Sequence, residues 1–584
     1  MPDSGDRERD SRELRLQDGS TVAVVGGGPA GSFFSTFLLR LAQRRGLALE
    51  LDVYEPRDFS QRGPGNCNMC GGVISESLIQ HLAGEGINLP PAVIQRRIDS
   101  YSLHMDVGTV RIATPLDEKR IAAVHRGPGP RTFAPLNCNS FDAFLLEQAV
   151  GNGARIVPKR VTSIGSTNGR PRVETKTGGQ DYDFLAVSVG INSGILKMGD
   201  DGVDGYVPPR GTKTYICEFH IGHSMVKRYL GSSMHIFLLD LPRLEFAALI
   251  PKSDYVTVCL LGTDIDKEVV RRFLASEEVK ECMPPLWAPP GQPCHCAPKI
   301  NVASAVRPFA DRTVFIGDCA TTRLYKDGIG AAYRTAKAAA VTAVFDGISA
   351  DSFQRKYWPV CKTIQSDNDV GKLMFAAGRQ FQRRPRARRA VWQTLVDEQA
   401  EDSAKRLSQV MWDMFTGSAS YRSVAARSLH PKVWGALARN MVFKRKFGAG
   451  KKHRRVPMAS GMTGALGKQY KDGDVIFNQG DTGDCMFVIQ RGGVELVQRE
   501  GAQEFVLREL GKGDFFGEMA LFEPVTRPVT ARSVGLSWIY TLERDTLLRR
   551  IHEDPSLAFR LIQQLAYRVR ELERSLVKRS RVAM

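Results

Sequence analysis

The run TVAVVGGGPAGS, residues 21–32, decides how the rest of the chain is read. Four apolar residues, Val22 to Val25, lead into Gly26, Gly28 and Gly31, and a helical pattern follows from Ser32 to Ala42. A strand that turns sharply into a closely packed helix, with a phosphate against its backbone, needs positions without Cβ at those places. The amides freed at such a helix start, with the helix dipole behind them, attract a pyrophosphate. A second apolar run, Leu49 to Tyr54, follows at βαβ spacing and ends in Glu55, 24 residues past Gly31, where a carboxylate can accept from both hydroxyls of a ribose. The expectation is an α/β, Rossmann-like dinucleotide-binding domain.

Its second half is expected in TVFIGDCATTRLYKDGIGAAYRTAKAAA, residues 313–340. An apolar strand ends in Gly317-Asp318, and a loop leads to Gly328 and Gly330, which open an Ala-rich helix. Asp318 can bind a second ribose, and bare amides near Gly328 and Gly330 can face an anion or a ring carbonyl. The two segments at this separation resemble the FAD-binding halves of the flavoproteins that include aromatic-ring hydroxylases and geranylgeranyl reductases. Where that family usually has a proline before the second glycines, this chain has Leu324-Tyr325-Lys326-Asp327.

Further residues resemble the geranylgeranyl reductase branch. Cys70-Gly71-Gly72 follows Glu55 by fifteen residues, Phe141-Asp142 precedes Gly153-Ala154, and the run Phe246 to Lys252 is similar to the branch's aromatic-x-Trp-x-Phe-Pro substrate motif, with Ala248 in place of the tryptophan. The resemblance implies a β-rich substrate domain inserted in the FAD domain, with Phe246, Ala248, Ile250 and Pro251 lining a hydrophobic site and Cys70 as the candidate catalytic residue. It implies hydride transfer from reduced flavin to a double bond of an isoprenoid-like molecule, with NAD(P)H or ferredoxin as electron donor. A flavin monooxygenase on the same FAD site is the first alternative, although no Trp-x-Trp-x-x-Pro halogenase signature occurs. A non-enzymatic cyclic-nucleotide or redox sensor is the second. Cys67-x-x-Cys70 and Cys294-His295-Cys296 are read as ordinary free thiols, with zinc ligation or a redox dithiol as the other readings, so no metal site is assigned.

Beyond residue 461, short alternating strands are separated by the turns Gly473-Asp474, Gly480-Asp481 and Gly513-Asp514. With Gly517-Glu518-Met519-Ala520 and Arg527 they resemble the β-roll cyclic-nucleotide-binding domain and its phosphate cassette. The resemblance implies that Arg527 neutralises a cyclic phosphate and Glu518 accepts from the ribose 2′-hydroxyl of cAMP or cGMP. Pro528 and Val529 replace the small residues that usually follow the arginine, and Pro528 has no N–H to offer. Only seven residues follow the final helical pattern, Pro555 to Val577, which speaks against an appended DNA-reading helix-turn-helix.

The 584 residues carry a net charge of +18, and residues 371–460 alone, with 20 basic and 5 acidic side chains, hold +15 of it. The organisation expected is a disordered tail over 1–19, the FAD-dependent oxidoreductase over 20–370, a basic helical extension over 371–443, a basic linker over 444–460 and the nucleotide domain over 461–584. Basic residues interleaved with Trp392, Trp412 and Trp434 suit an anionic membrane surface better than nucleic acid, for which no readout element is present. No apolar run reaches the ~18 residues of a membrane span, no signal core opens the chain, and eleven scattered cysteines make no disulfide framework. A cytoplasmic protein, peripheral at the inner membrane face at most, is expected.

Overall fold

The computed structural model describes residues 14–61, 70–114, 118, 120–127, 139–197, 205–285, 287, 294–400, 405–442, 466–501, 503–522, 526–553, 558, 561–563, 565–570 and 573. The chain divides into two compact units. The larger holds residues 1–75, 92–113 and 121–462; the smaller holds 76–91, 114–120 and 463–584.

In the larger unit the run that opens the chain's reading forms the strand Thr21–Val25 and the helix Pro29–Arg44, with Pro29 in its first turn, where a missing N–H costs nothing. The strand lies inside a six-stranded sheet ordered Phe309–Ala310, Thr313–Phe315, Phe184–Val187, Thr21–Val25, Glu50–Tyr54, Arg155–Val157. All neighbours are parallel except the first pair. Both faces of a parallel sheet are covered, and these strands accordingly read as unbroken apolar runs such as VAVV and FLAV. Residues 14–19, read as tail from their polarity, are held in place: Leu16 is buried, and the Leu14 carbonyl accepts from Ile348 N–H at 2.8 Å.

A second sheet has seven strands in the order Cys294–Cys296, Tyr215–His220, Tyr255–Gly262, Leu244–Pro251, Ser233–Phe237, Ser100–Met105, Gly108–Ala113. One face, carrying Tyr101, Leu103, Ile236, Phe246, Ala248 and Ile250, shares a core with Phe375, Leu395, Trp412 and Tyr421. Those four lie in the helices Trp358–Arg383, Pro385–Ala400, Arg406–Thr416 and Tyr421–Ser428. The basic segment therefore has an apolar side pressed on the sheet. Phe246 stacks on Phe375 at 6.1 Å and meets Phe415 edge-on at 5.4 Å, while Trp412 meets Tyr101 at 5.3 Å. The opposite face packs a second core that includes Phe237, Leu249, Phe273 and Cys282. Of the first arginine cluster, Arg379 pairs with Glu245 and Arg388 with Asp106, while Arg383, Arg384, Arg386 and Arg389 are exposed. The second basic cluster and the linker over 444–460 lie outside the described residues.

The smaller unit pairs Lys468–Tyr470, Thr530–Glu543, Cys485–Glu500 and Gln503–Leu510 in that order, with Val475–Phe477 paired to Thr530–Glu543 and Phe515–Phe516 to Cys485–Glu500. Phe477, Phe487, Ile489, Val494, Leu510, Phe516 and Ile539 fill its core. The helix Glu76–Gly84 and residues 114–120 also belong here. Glu118 accepts from Thr541 N–H at 3.1 Å, and Arg120, paired with Glu76 at 2.8 Å, lies over the Tyr540 ring. No helix among the described residues is long and apolar enough to cross a membrane.

Candidate functional site

The glycine turn has the geometry its composition demands. Gly26 takes φ +107°, and a Cβ on Gly31 would lie 1.9 Å from the Gly26 carbonyl oxygen. Ser188, at the end of the neighbouring strand, locks the turn by donating to the Val25 and Gly26 carbonyls. The second half packs against the first: a Cβ on Gly317 would stand 2.7 Å from the Ala30 methyl, in the first turn of the helix Pro29–Arg44, and Tyr333 meets Phe33 edge-on at 5.5 Å. The ends of the strands Thr21–Val25, Glu50–Tyr54 and Thr313–Phe315 thus bring Gly26, Gly28, Gly31, Glu55, Gly317 and Asp318 to one edge of one sheet.

Glu55 is buried and fully engaged. One carboxylate oxygen accepts from Gly27 N–H at 3.0 Å and Arg57 Nη2 at 2.9 Å; the other accepts from Arg57 N–H at 3.0 Å and Nε at 2.8 Å. Four donors fill the usual capacity of a carboxylate, so a ribose hydroxyl can be accepted only where Arg57 lets go. Asp318 is half-buried. Burial pushes its carboxyl upward against the opposing charge of Arg126.

At the second glycine turn, Asp327 adopts the left-handed conformation at φ +54°, and its carboxylate lies 2.3 to 2.6 Å from where a Cβ on Gly330 would stand. It accepts from Ser75, faces Arg323 and Arg334 at 3.8 and 3.7 Å, and keeps Oδ2 buried without a hydrogen-bond partner. Lys326 turns the other way and donates to the carbonyls of Asp413 and Met414; burial, with Arg323 adding to it, pulls its amine well below the usual range. The Leu324–Asp327 loop is thereby tied to the helix Arg406–Thr416, and Gly330 lies under the Asp327 carboxylate.

Cys70 lies beside the apolar face and the buried Arg126. A Cβ on the adjacent Gly71 would fall 2.8 Å from Cys259 Sγ and 3.1 Å from Ile250 Cδ1, so the Cys-Gly-Gly turn rests on the face that carries Phe246, Ala248 and Ile250. Its thiol faces Arg126, which is buried against Asp142 at 2.9 Å. Behind the turn, Lys252 Nζ donates to Glu218 at 2.6 Å and stands 3.4 Å from His125 Nδ1. Burial, and then the charge of Lys252, hold His125 neutral with its pKa down at about 3, and its Nε2 is buried without a partner. Burial, the largest single influence, would raise Glu218, yet the Lys252 charge together with the hydrogen bonds from Lys252 and Thr257 brings the pKa to about 2. Sequence reasoning passed over Arg126, His125, Glu218 and Lys252 because no spacing links them. The one signal was a lysine directly after Pro251. Cys67 lies outside the described residues, as does the side chain of Cys294; Cys296 and Cys259 flank Ile216 across three adjacent strands.

In the smaller unit the cassette residues lie together. Arg527 is buried between the Phe477 and Phe487 rings and donates to the Gly517 carbonyl at 2.7 Å and the Cys485 carbonyl at 2.7 Å. Its Nε is buried without a partner, a donor left for an anion. Ala520 is buried and Met519 exposed. Glu518 is engaged by Arg568, from a helical stretch at 565–570; Arg568 also donates to the Phe515 carbonyl and covers the Phe515 ring at 4.8 Å.

Among solved structures, a point mutant of the halogenase PltM in complex with FAD is similar to 70% of this chain and 85% of its own, at 12% identity and a TM-score of 0.47. The peptidyl tryptophan dihydroxylase QhpG is similar over 62% of this chain and 76% of its own, at 16% identity and a TM-score of 0.42. The cyclic AMP receptor protein of Thermus thermophilus is 36% identical over 105 residues, 18% of this chain and 49% of that one. The chain spans half or less of the length of the curated relatives it matches. Residues 467–554 match the family model of the cyclic nucleotide-binding domain, and the chain carries such a domain at its C-terminal end.

Proposed function

We propose that the larger unit binds FAD and reduces a double bond of a hydrophobic, isoprenoid-like substrate, under control of a cyclic nucleotide held by the C-terminal domain. The observation that carries the reading is the contact of Gly317 with Ala30, which joins two distant glycine turns at one sheet edge. The cradle fits a dinucleotide: Gly26, Gly28 and Gly31 leave room for a pyrophosphate at the start of the helix Pro29–Arg44, and Asp318 stands at the second strand end for a ribose. FAD, when bound, supplies the two-electron redox chemistry. Cys70 and Arg126 stand between that cradle and the apolar face. Arg126 supplies fixed positive charge beside the thiol, and Phe246, Ala248, Ile250 and Pro251 offer the alkene an apolar wall. NAD(P)H or ferredoxin delivers the electrons, and the exposed arginines at 383–389 dock the protein on an anionic membrane that supplies the lipid.

Absorbance of the purified protein tests the first step: one FAD per chain is expected, and a preparation that stays colourless after reconstitution refutes it. Anaerobic turnover of prenyl alkenes with dithionite-reduced enzyme tests the second. Substrate-dependent oxygen consumption in its place assigns a monooxygenase, and no turnover of either kind assigns a sensor.

A further inference from the structure

We propose that His104, His235 and Cys282 form a zinc site in the larger unit, separate from the flavin cradle. His104 lies in the strand Ser100–Met105, His235 in the adjacent strand Ser233–Phe237, and Cys282 in the turn after the helix Glu277–Lys280. All three are buried. Their ligand atoms converge: His104 Nε2 and His235 Nδ1 are 2.8 Å apart, and Cys282 Sγ is 3.7 and 3.5 Å from them. Zinc bonds of about 2.05 Å to nitrogen and 2.3 Å to sulfur, at tetrahedral angles, give nitrogen–sulfur edges of about 3.5 Å and a nitrogen–nitrogen edge of about 3.4 Å. Two edges already match, and the third opens by roughly 0.6 Å when an ion enters.

The outward nitrogens are held as metal-binding histidines require. His235 Nε2 lies 3.2 Å from the Leu230 carbonyl, which can only accept, so Nε2 carries the hydrogen and Nδ1 presents its lone pair to the cluster. His104 Nδ1 meets Thr109 Oγ1 at 2.9 Å. One thiolate leaves a zinc ion with a net positive charge, and Glu281 and Glu278, on the turn and helix around Cys282, place negative charge nearby. The fourth position has no protein ligand among the described residues and suits a water.

The site opens into the core that holds Phe237 and Phe273, on the sheet face opposite Phe246, Ala248 and Ile250, and it fastens the chain after the helix Glu277–Lys280 to two neighbouring strands. No local spacing announces it, because the three ligands come from positions far apart in sequence.

The test uses the full-length protein. Metal analysis after purification, or titration after chelation, is expected to give one zinc per chain. Cobalt loading is expected to give a thiolate-to-cobalt charge-transfer band. Cys282→Ser should abolish the band and weaken zinc binding at least 100-fold, and His235→Gln should weaken it comparably, while Cys70→Ser and Cys296→Ser keep both signals. A band that survives Cys282→Ser, or that disappears with Cys70→Ser or Cys296→Ser, overturns the proposal. Should the Cys282 and His235 variants fail to fold, the wild type still decides: one equivalent of zinc is expected to raise the thermal midpoint of the chelated protein. An unchanged midpoint with no cobalt band means that the three side chains only hydrogen-bond to one another, and overturns it equally.

Discussion

Arg568 occupies the Glu518 carboxylate, which in the proposed cyclic-nucleotide site accepts from the ribose, so replacing it with alanine should tighten cyclic nucleotide binding. Glu518 and Arg568 keep only 9% and 17% of their side-chain surface exposed, which places their bond among charge-assisted hydrogen bonds shielded from water. Such bonds contribute about 1.5 to 3 kcal/mol. A nucleotide that must displace Arg568 loses that amount, and Arg568→Ala removes the competition, which corresponds to a dissociation constant lower by about 10- to 150-fold. Titration calorimetry with cAMP and with cGMP reads this directly, and Arg570→Ala, an exposed neighbour, serves as control. Affinity that is unchanged in Arg568→Ala, or weaker, refutes the reasoning: the arginine would then act with the ligand and not against it.

Gly31→Ala puts a methyl 1.9 Å from the Gly26 oxygen, and is expected to yield protein without yellow chromophore, checked by absorbance after FAD reconstitution. Acid should destabilise the protein in two steps. His125 stays neutral down to about pH 3 when folded but takes a proton near its ordinary 6.5 when unfolded, so the unfolded chain binds more protons below that value and stability falls by up to about 1.4 kcal/mol per pH unit. Glu218, held at about 2 against an ordinary 4.5, adds a second loss below 4.5. Urea midpoints between pH 7 and 5 should slope less in His125→Gln, and equal slopes would remove the assignment. Charge reversal of Arg383, Arg384, Arg386 and Arg389 to Glu should abolish salt-sensitive co-sedimentation with anionic liposomes; co-sedimentation that persists in this variant assigns the docking to other residues.

The strands and turns that decide the fold were legible where one local constraint dictated the residue. Gly31 has no room for a Cβ, the strand ends at Glu55 and Asp318 close apolar runs, and the Gly-Asp turns of the nucleotide domain need positive φ at Gly473, Gly480 and Gly513. What stayed hidden depends on partners distant in sequence. Arg57 filling Glu55, Asp327 lying over Gly330 and Arg568 engaging Glu518 are side-chain choices that no periodicity encodes. Trp412 read as part of a charged segment because the residues on either side of its helix are rich in arginine and lysine; the indole itself is buried against Tyr101.

The smaller unit is stitched from three separate pieces of chain, and two of them, residues 76–91 and 114–120, interrupt the sequence of the larger one. Cutting the gene at residue 461 would strip Thr541 of its acceptor and Tyr540 of its guanidinium cover, so the excised fragment would begin life with an unfinished edge. A swap of this domain for another of its kind has to rejoin the chain at five junctions, and the first of them falls only five residues after Cys70 in sequence.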